Sequence, residues 1–198
     1  MGSGWTRGEV MAWRKSERER LIAARLAAAS DQRAAWSHAI ADVLQRAIGA
    51  ANGLIVSTYW PFRGEPDLRP LMARLEAMGG CCALPVVLAK GQPLVFRRWK
   101  EGEPLVRGVW NIPVPAEGAE VEPDVVIAPV VGFDPHCFRL GYGGGFFDRT
   151  LALRAPRPRV FGVGYELQAI ATIHPLGHDI PMQAIVTEAG LHQPAALQ

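Results

Sequence analysis

The chain has 198 residues, 49% hydrophobic and 20% charged, which suits one domain with a real core (residues 1–198) and no long linker. A formal net charge of +2 excludes a nucleic-acid binder working by bulk charge. No run approaches the ~20 apolar residues of a membrane span, and the first eleven residues lack a signal-peptide core. Cys81, Cys82 and Cys137 form no CxxC pair, so a reduced, cytoplasmic protein is expected.

A basic helix is predicted over about residues 10–29. From Met1 to Arg25 six Lys/Arg stand against three Glu, a run that suits either phosphate contact or a solvated face. Ile40, Val43, Leu44, Ala47 and Ile48 form one stripe of a second helix, with Ser30 and Asp31 placed to cap it and Gly49 to end it. Gly53–Trp60 predicts a strand, and Asp67 is placed to cap a helix facing inward with Leu68, Leu71, Met72 and Leu75. "CCALPVV" and "PLVFRRW" predict two strands about a glycine-containing turn. Asp124–Phe133, "DVVIAPVVGF", is the longest apolar run and predicts a central strand buried on both faces. A glycine-rich stretch follows, then a helix from about Phe146 and two strands, "RVFGVGY" and "AIVTE". This alternation predicts an α/β fold, a largely parallel sheet with helices on both faces. Ligands in such sheets bind beyond the carboxyl ends of the strands, where the glycine stretch falls.

That stretch, "RLGYGGGFFDRTL" (Arg139–Leu151), places four glycines in five positions. A loop without β-carbons lets main-chain N–H groups approach an anion, and a helix beginning behind it adds attraction. Arg139 and Arg149 add charge, and Asp148 suits a Mg²⁺ ligand beside phosphate. The structural alternative is a tight strand-to-helix connection with Asp148 stabilising the first turn. No GxxxxGK[ST] is present, and a GxGxxG fingerprint fails at Phe146, although Glu166 lies near the expected acidic position.

"FDPHCFRLGYGGGFFDRTL" resembles the signature of the 5-formyltetrahydrofolate cyclo-ligase family, also called 5,10-methenyltetrahydrofolate synthetases. "YWPFRGEPDLRPLM", "GVWNIPVP" and "HPLGHDIPMQAIVTEAG" resemble three further segments of that family in the same order. The resemblance implies a three-layer sandwich with a largely parallel mixed sheet, a NagB/RpiA/CoA-transferase-like fold. It implies ATP-dependent conversion of 5-formyltetrahydrofolate to 5,10-methenyltetrahydrofolate with release of ADP and phosphate. The implied ATP contacts are Arg14, Lys15, Arg18, Arg139, Leu140, Gly141, Tyr142, Gly143, Gly144, Gly145, Phe146 and Phe147. The implied folate contacts are Trp60, Glu65 and Tyr142 through Phe146. Arg139, Tyr142 and Asp148 are the implied catalytic residues, and Asp148 and Asp179 the implied Mg²⁺ ligands. A reduced folate is the implied partner; from charge and hydropathy no nucleic-acid or membrane partner is expected, and a monomer is slightly favoured.

Five positions depart from the family pattern. Cys137 and Asn111 stand where glycine is usual, Phe146-Phe147 replaces Tyr-Tyr, and Gln183 replaces the second acid of HDxxxD. Gln183 and the two phenylalanines support a rival reading, a non-catalytic or regulatory nucleotide- or folate-binding relative. A nicotinamide-dependent oxidoreductase is disfavoured by the missing fingerprint. Pro175 and Gly177 argue against a helix presenting His174 and His178 to zinc. Arg97, Arg98 and Lys100 form either a contact for a folate glutamate tail or an exposed strand-end cluster.

Overall fold

The structure is a computed structural model and describes residues 4–195. Helix α1 spans Arg7–Ala27 and starts earlier than residue 10 because Thr6 and Glu9 form a capping box. The Thr6 N–H donates to the Glu9 carboxylate at 2.7 Å, and the Glu9 N–H donates to Thr6 Oγ1 at 3.3 Å. Helix α2 spans Ser30–Ile48. Ser30 and Asp31 lie inside its first turn and Ala29 holds the cap position, without a side-chain cap, while Gly49 ends the helix at φ 78° as expected.

Strand β1 is Ile55–Ser57 only, because Thr58 through Trp60 leave the sheet toward the site. Helix α3 covers Arg69–Ala77; Leu68 is at its cap position, and Asp67 accepts the Arg69 N–H at 3.0 Å from one residue earlier. Strands β2 (Cys81–Val87) and β3 (Leu94–Arg98) pair antiparallel. Strands β4 (Leu105–Arg107) and β5 (Pro113–Pro115) form a separate arm around a single 3₁₀ turn, Val109–Asn111.

The predicted strand 124–133 is broken in two. Strand β6 is Val125–Pro129, and β7 (Gly132–Phe133) belongs to a small hairpin with β8 (Arg139–Leu140). Pro129 cannot donate to a continuing ladder, and at Gly132 an added Cβ would stand 2.7 Å from Leu21 Cδ1. The chain therefore turns out of the sheet under α1, and β8 delivers the glycine loop directly. Helix α4 (Phe146–Ala152), β9 (Arg159–Val163), β10 (Ala184–Thr187) and β11 (Gly190–His192) complete the fold.

The main sheet has seven strands in the order β11-β10-β9-β6-β1-β2-β3. The inner five are parallel, and β3 and β11 are antiparallel edges. From β1 the chain steps outward through β2 and β3, then returns to β6 and proceeds through β9 and β10 on the other side. The order therefore reverses between β1 and β6, where a crevice opens at the carboxyl ends.

Side chains alternate across the sheet, as the period of two requires. Val125 and Ile127 pack with Ile40, Leu44, Leu71 and Leu75 of α2 and α3. Val126 and Ala128 face the opposite layer with Phe133 and Leu151 of α4. Leu21 of α1 packs with Val131, Leu140 and Ile173, which sets α1 against the hairpin carrying the glycine loop. No described helix is long and apolar enough to cross a membrane, and all three cysteines are free.

Candidate active site

The crevice opens into one cavity that gathers most of the residues singled out by sequence. Tyr59, Trp60 and Glu65 reach it after β1, Pro85 and Val87 from β2, and Pro129 from the end of β6. The glycine loop forms another wall, and α1 contributes Met11, Arg14 and Arg18. Lys15 is exposed and lines no part of the cavity.

Among the described residues, the N–H groups of Gly141 through Gly145 donate to no backbone acceptor. Gly143 and Gly145 have φ of 93° and 62°, which turns successive amides toward one side. Helix α4 is only seven residues long, so these amides and nearby arginines, rather than a helix dipole, supply the positive potential. Arg18 Nε donates to the Gly141 carbonyl at 2.6 Å, and its guanidinium lies against Gly143. Burial and the neighbouring Arg14 push the Arg18 guanidinium below its usual range. Arg149 instead folds back on the Gly144 carbonyl and does not line the cavity.

Arg139 and Arg14 are each tied to a carboxylate. Arg139 is 8% exposed and bonds Asp148 Oδ2 at 2.8 Å, while Asp148 Oδ1 accepts the Ile180 N–H at 3.1 Å. Burial pushes the Arg139 guanidinium down, and Asp148 opposes that. Arg14 holds Asp179 through both oxygens, at 2.6 Å and 3.3 Å, and the Leu176 N–H adds a third donor. Burial alone would raise the Asp179 carboxyl, but Arg14 and Leu176 hold it below the usual carboxylate range. Asp179 is therefore committed to Arg14, and Asp148 keeps one protein donor per oxygen. Among the described residues, no three His, Cys, Asp or Glu side chains converge as a metal cluster. Of these two acids Asp148, with a single donor on each oxygen, is the one that would hold a Mg²⁺, which takes one or two carboxylates plus other oxygen ligands.

Glu65 differs from the other two acids. It is 6% exposed and makes no direct bond to an arginine: Oε2 accepts the Phe62 N–H and Oε1 accepts the Tyr142 hydroxyl, both at 2.8 Å. Burial pushes its carboxyl up to about 7, against the opposing pull of Arg25, Tyr142 and the Phe62 N–H. Oε2 thus closes the turn after Phe62, while Oε1 faces the glycine loop. Burial and the Glu65 charge raise the Tyr142 phenol well above its usual range.

Aromatic rings complete the walls. Trp60 meets Trp99 edge-on at 5.6 Å, and Trp110 stands 6.1 Å from Tyr142 and 6.2 Å from Phe146. Sequence reasoning did not single out Trp110, Tyr59, Met11 or Arg25. For Arg25 a signal existed: Arg14, Arg18, Leu21 and Arg25 share one face of α1, with arginines where core residues belong. His174 stacks on Trp5 at 4.4 Å and meets Trp13 at 4.8 Å, away from any metal geometry. Arg97, whose nearest carboxylate is Glu120 at 3.8 Å, lies outside the cavity lining, as do Arg98 and Lys100.

The profile of the 5-formyltetrahydrofolate cyclo-ligase family matches residues 10–188. The chain belongs to this family. It is 34% identical over 140 residues to the Escherichia coli (strain K12) 5-formyltetrahydrofolate cyclo-ligase, covering 67% of this chain and 76% of that one. The Mycolicibacterium smegmatis cyclo-ligase is 32% identical over 145 residues, covering 69% and 74%. The NMR structure of Aquifex aeolicus 5,10-methenyltetrahydrofolate synthetase superposes with a TM-score of 0.78 at 25% identity, covering 93% of this chain and 96% of that one.

Two departures from the cyclo-ligase pattern acquire a physical basis. Cys137 and Asn111 both have φ of 61°, the left-handed region where glycine is at ease. Asn tolerates this conformation, whereas Cys137 is held there by burial, which also pushes its thiol up to about 11. Gln183 lies outside the cavity and accepts the Val160 N–H at 3.0 Å, so it serves the β9–β10 junction. Phe146 and Phe147 line the cavity as apolar walls.

Proposed function

We propose that this chain is an ATP-dependent 5-formyltetrahydrofolate cyclo-ligase acting in the cavity between α1, the glycine loop and the β1 exit. The observation that carries this reading is the juxtaposition, in one cavity of a cyclo-ligase family member, of free loop amides and Arg18 with the buried Glu65.

A formamide oxygen is a weak nucleophile and a worse leaving group, so it must first become a phosphate ester. The loop amides and Arg18 hold the ATP phosphates, with Arg14 and Arg139 behind them. The formyl oxygen attacks the γ-phosphorus in line, and ADP leaves with the bridging electron pair. Mg²⁺, met by Asp148, would screen the phosphate charge when bound. Nitrogen 10 then attacks the formyl carbon, the carbon–oxygen bond breaks, and phosphate leaves with that electron pair. The nitrogen 10 proton needs an acceptor. Of the three carboxylates lining the cavity, Glu65 alone is free of a direct arginine partner, and its value near 7 suits a base at neutral pH. Trp60 and Trp110 supply flat surfaces for the pterin and benzoyl rings. The same reading has the chain working as a cytoplasmic monomer on reduced folates, with or without a longer glutamate tail.

The departures do not favour a binding-only relative, because Gln183 lies outside the cavity and the two phenylalanines leave the loop amides and acids in place. The test is the near-ultraviolet absorbance of methenyl-folate when purified protein meets 5-formyltetrahydrofolate. An absorbance rise that requires both ATP and Mg²⁺ is expected. Tight ATP binding without any rise would return the binding-only reading.

A further inference from the structure

Arg25 has no solvent exposure and makes no direct salt bridge among the described residues. A buried guanidinium is costly, and an apolar side chain of similar volume would pack there at less expense. Its polar contacts go to three separate segments. Nε donates to the Arg63 carbonyl at 2.9 Å, Nη1 to the Val130 carbonyl at 3.4 Å, and Nη2 to the Tyr142 hydroxyl at 2.8 Å.

The last contact has a directional consequence. A phenol that accepts from a guanidinium must point its own proton elsewhere, and here it points to Glu65 Oε1 at 2.8 Å. The other oxygen, Oε2, already accepts the Phe62 N–H. Both oxygens are therefore placed as acceptors, an arrangement that matches the carboxylate and leaves no acceptor for a carboxylic acid proton on those sides. Without Arg25, the Tyr142 hydroxyl is free to reverse and accept from a protonated Glu65. The backbone points the same way. Arg63 and Gly64 have consecutive φ values of 48° and 74° just before Glu65, and an added Cβ on Gly64 would stand 3.1 Å from Leu26 Cδ2. The end of α1 presses on the turn that aims Glu65, and Arg25 is the polar part of that contact. The other titratable groups around Glu65 are engaged elsewhere: Tyr59 donates to the Pro66 carbonyl at 2.9 Å, and Asp67 pairs with Arg69.

Resting on the cyclo-ligase reading above, we propose that Arg25 is a positioning residue for ring closure. Acting chiefly through the Tyr142 hydroxyl, it aims Glu65 and favours its carboxylate form toward the substrate nitrogen that must lose its proton.

The experiment compares Arg25→Gln, Arg25→Lys, Tyr142→Phe and the Arg25→Gln/Tyr142→Phe double variant, each checked for folding by thermal melting. Arg25→Gln is expected to lower kcat at least tenfold while KM for ATP and 5-formyltetrahydrofolate stays within about threefold. The acid limb of its kcat/KM profile should move upward by about one pH unit, and Arg25→Lys should recover part of both effects. In the Tyr142→Phe background, Arg25→Gln should move the limb less than it does in the wild type, since only the through-space pull of the guanidinium on Glu65 is left to lose. A lower melting temperature with an unmoved limb would make Arg25 a structural staple and overturn the proposal. Additive shifts in the double variant would overturn its route through Tyr142. If Arg25→Gln does not fold, Tyr142→Phe alone must move the limb. A wild type without ATP-dependent methenyl formation removes the cyclo-ligase reading itself, a separate failure seen before any variant is made.

Discussion

Replacing Glu65 by glutamine is expected to lower turnover by ~10²–10⁴-fold while leaving nucleotide binding intact. In the wild type, kcat/KM should rise as pH increases through about 7, where Glu65 ionises, and the variant should lack that limb. Stability should move in the opposite sense. A carboxyl raised from its ordinary 4.5 to about 7 in the folded state favours folding fully below 4.5, and that contribution is lost as pH rises through 7. The group alone accounts for on the order of 3 kcal/mol of lost stability between pH 4 and pH 8. Urea unfolding at both pH values should show a smaller loss in Glu65→Gln. An equal loss in both proteins would mean that Glu65 is not buried as a raised carboxyl.

Asp148→Ala should damage both stability and chemistry, for different reasons. It leaves the buried Arg139 without its 2.8 Å partner, at a cost of about 3–5 kcal/mol. For a chain of this length the melting temperature should fall by about 10 °C. The Ile180 N–H also loses its acceptor. Asp148→Asn keeps an oxygen for that N–H but removes the charge, so it should melt between the wild type and the alanine variant. If Asp148 also meets the nucleotide-borne Mg²⁺, the asparagine variant should need much more Mg²⁺ for the same rate. Loss of melting temperature with unchanged Mg²⁺ dependence would confine Asp148 to holding Arg139. Such stability effects have to be measured before any Asp148 variant is taken as proof of catalysis.

The glycine loop, its place beyond a carboxyl strand end and the second helix with its Gly49 stop were legible because each depends on local chemistry. Four closely spaced glycines can only be a loop, and a 3.6-residue apolar stripe can only bury one face. The break in the apolar run 124–133 was not legible. Pro129 was a local hint of the break, but Val125–Phe133 otherwise has the composition of one buried strand, and what turns the chain out of the sheet is the packing of Leu21 over Gly132, a contact between residues far apart in sequence. The same holds for the acids. Asp148 and Asp179 stood out as a pair of carboxylates, but their arginine partners come from β8 and α1, and only the fold shows that Arg14 already occupies Asp179. Glu65 was found through a resemblance, while its buried state follows from α1 closing over the Arg63-Gly64 turn. Arg25 was written in plain sight on the α1 stripe, yet counted among charges rather than core positions.

Oxygen-18 placed in the formyl group of 5-formyltetrahydrofolate tests the phosphoryl-activation chemistry most directly. After a single turnover with ATP and Mg²⁺, the label is expected in the released inorganic phosphate, one atom for each methenyl-folate formed. Label recovered in water, with unlabelled phosphate, would show that ring closure does not proceed through a phosphorylated formyl oxygen and would contradict the mechanism assigned to this cavity.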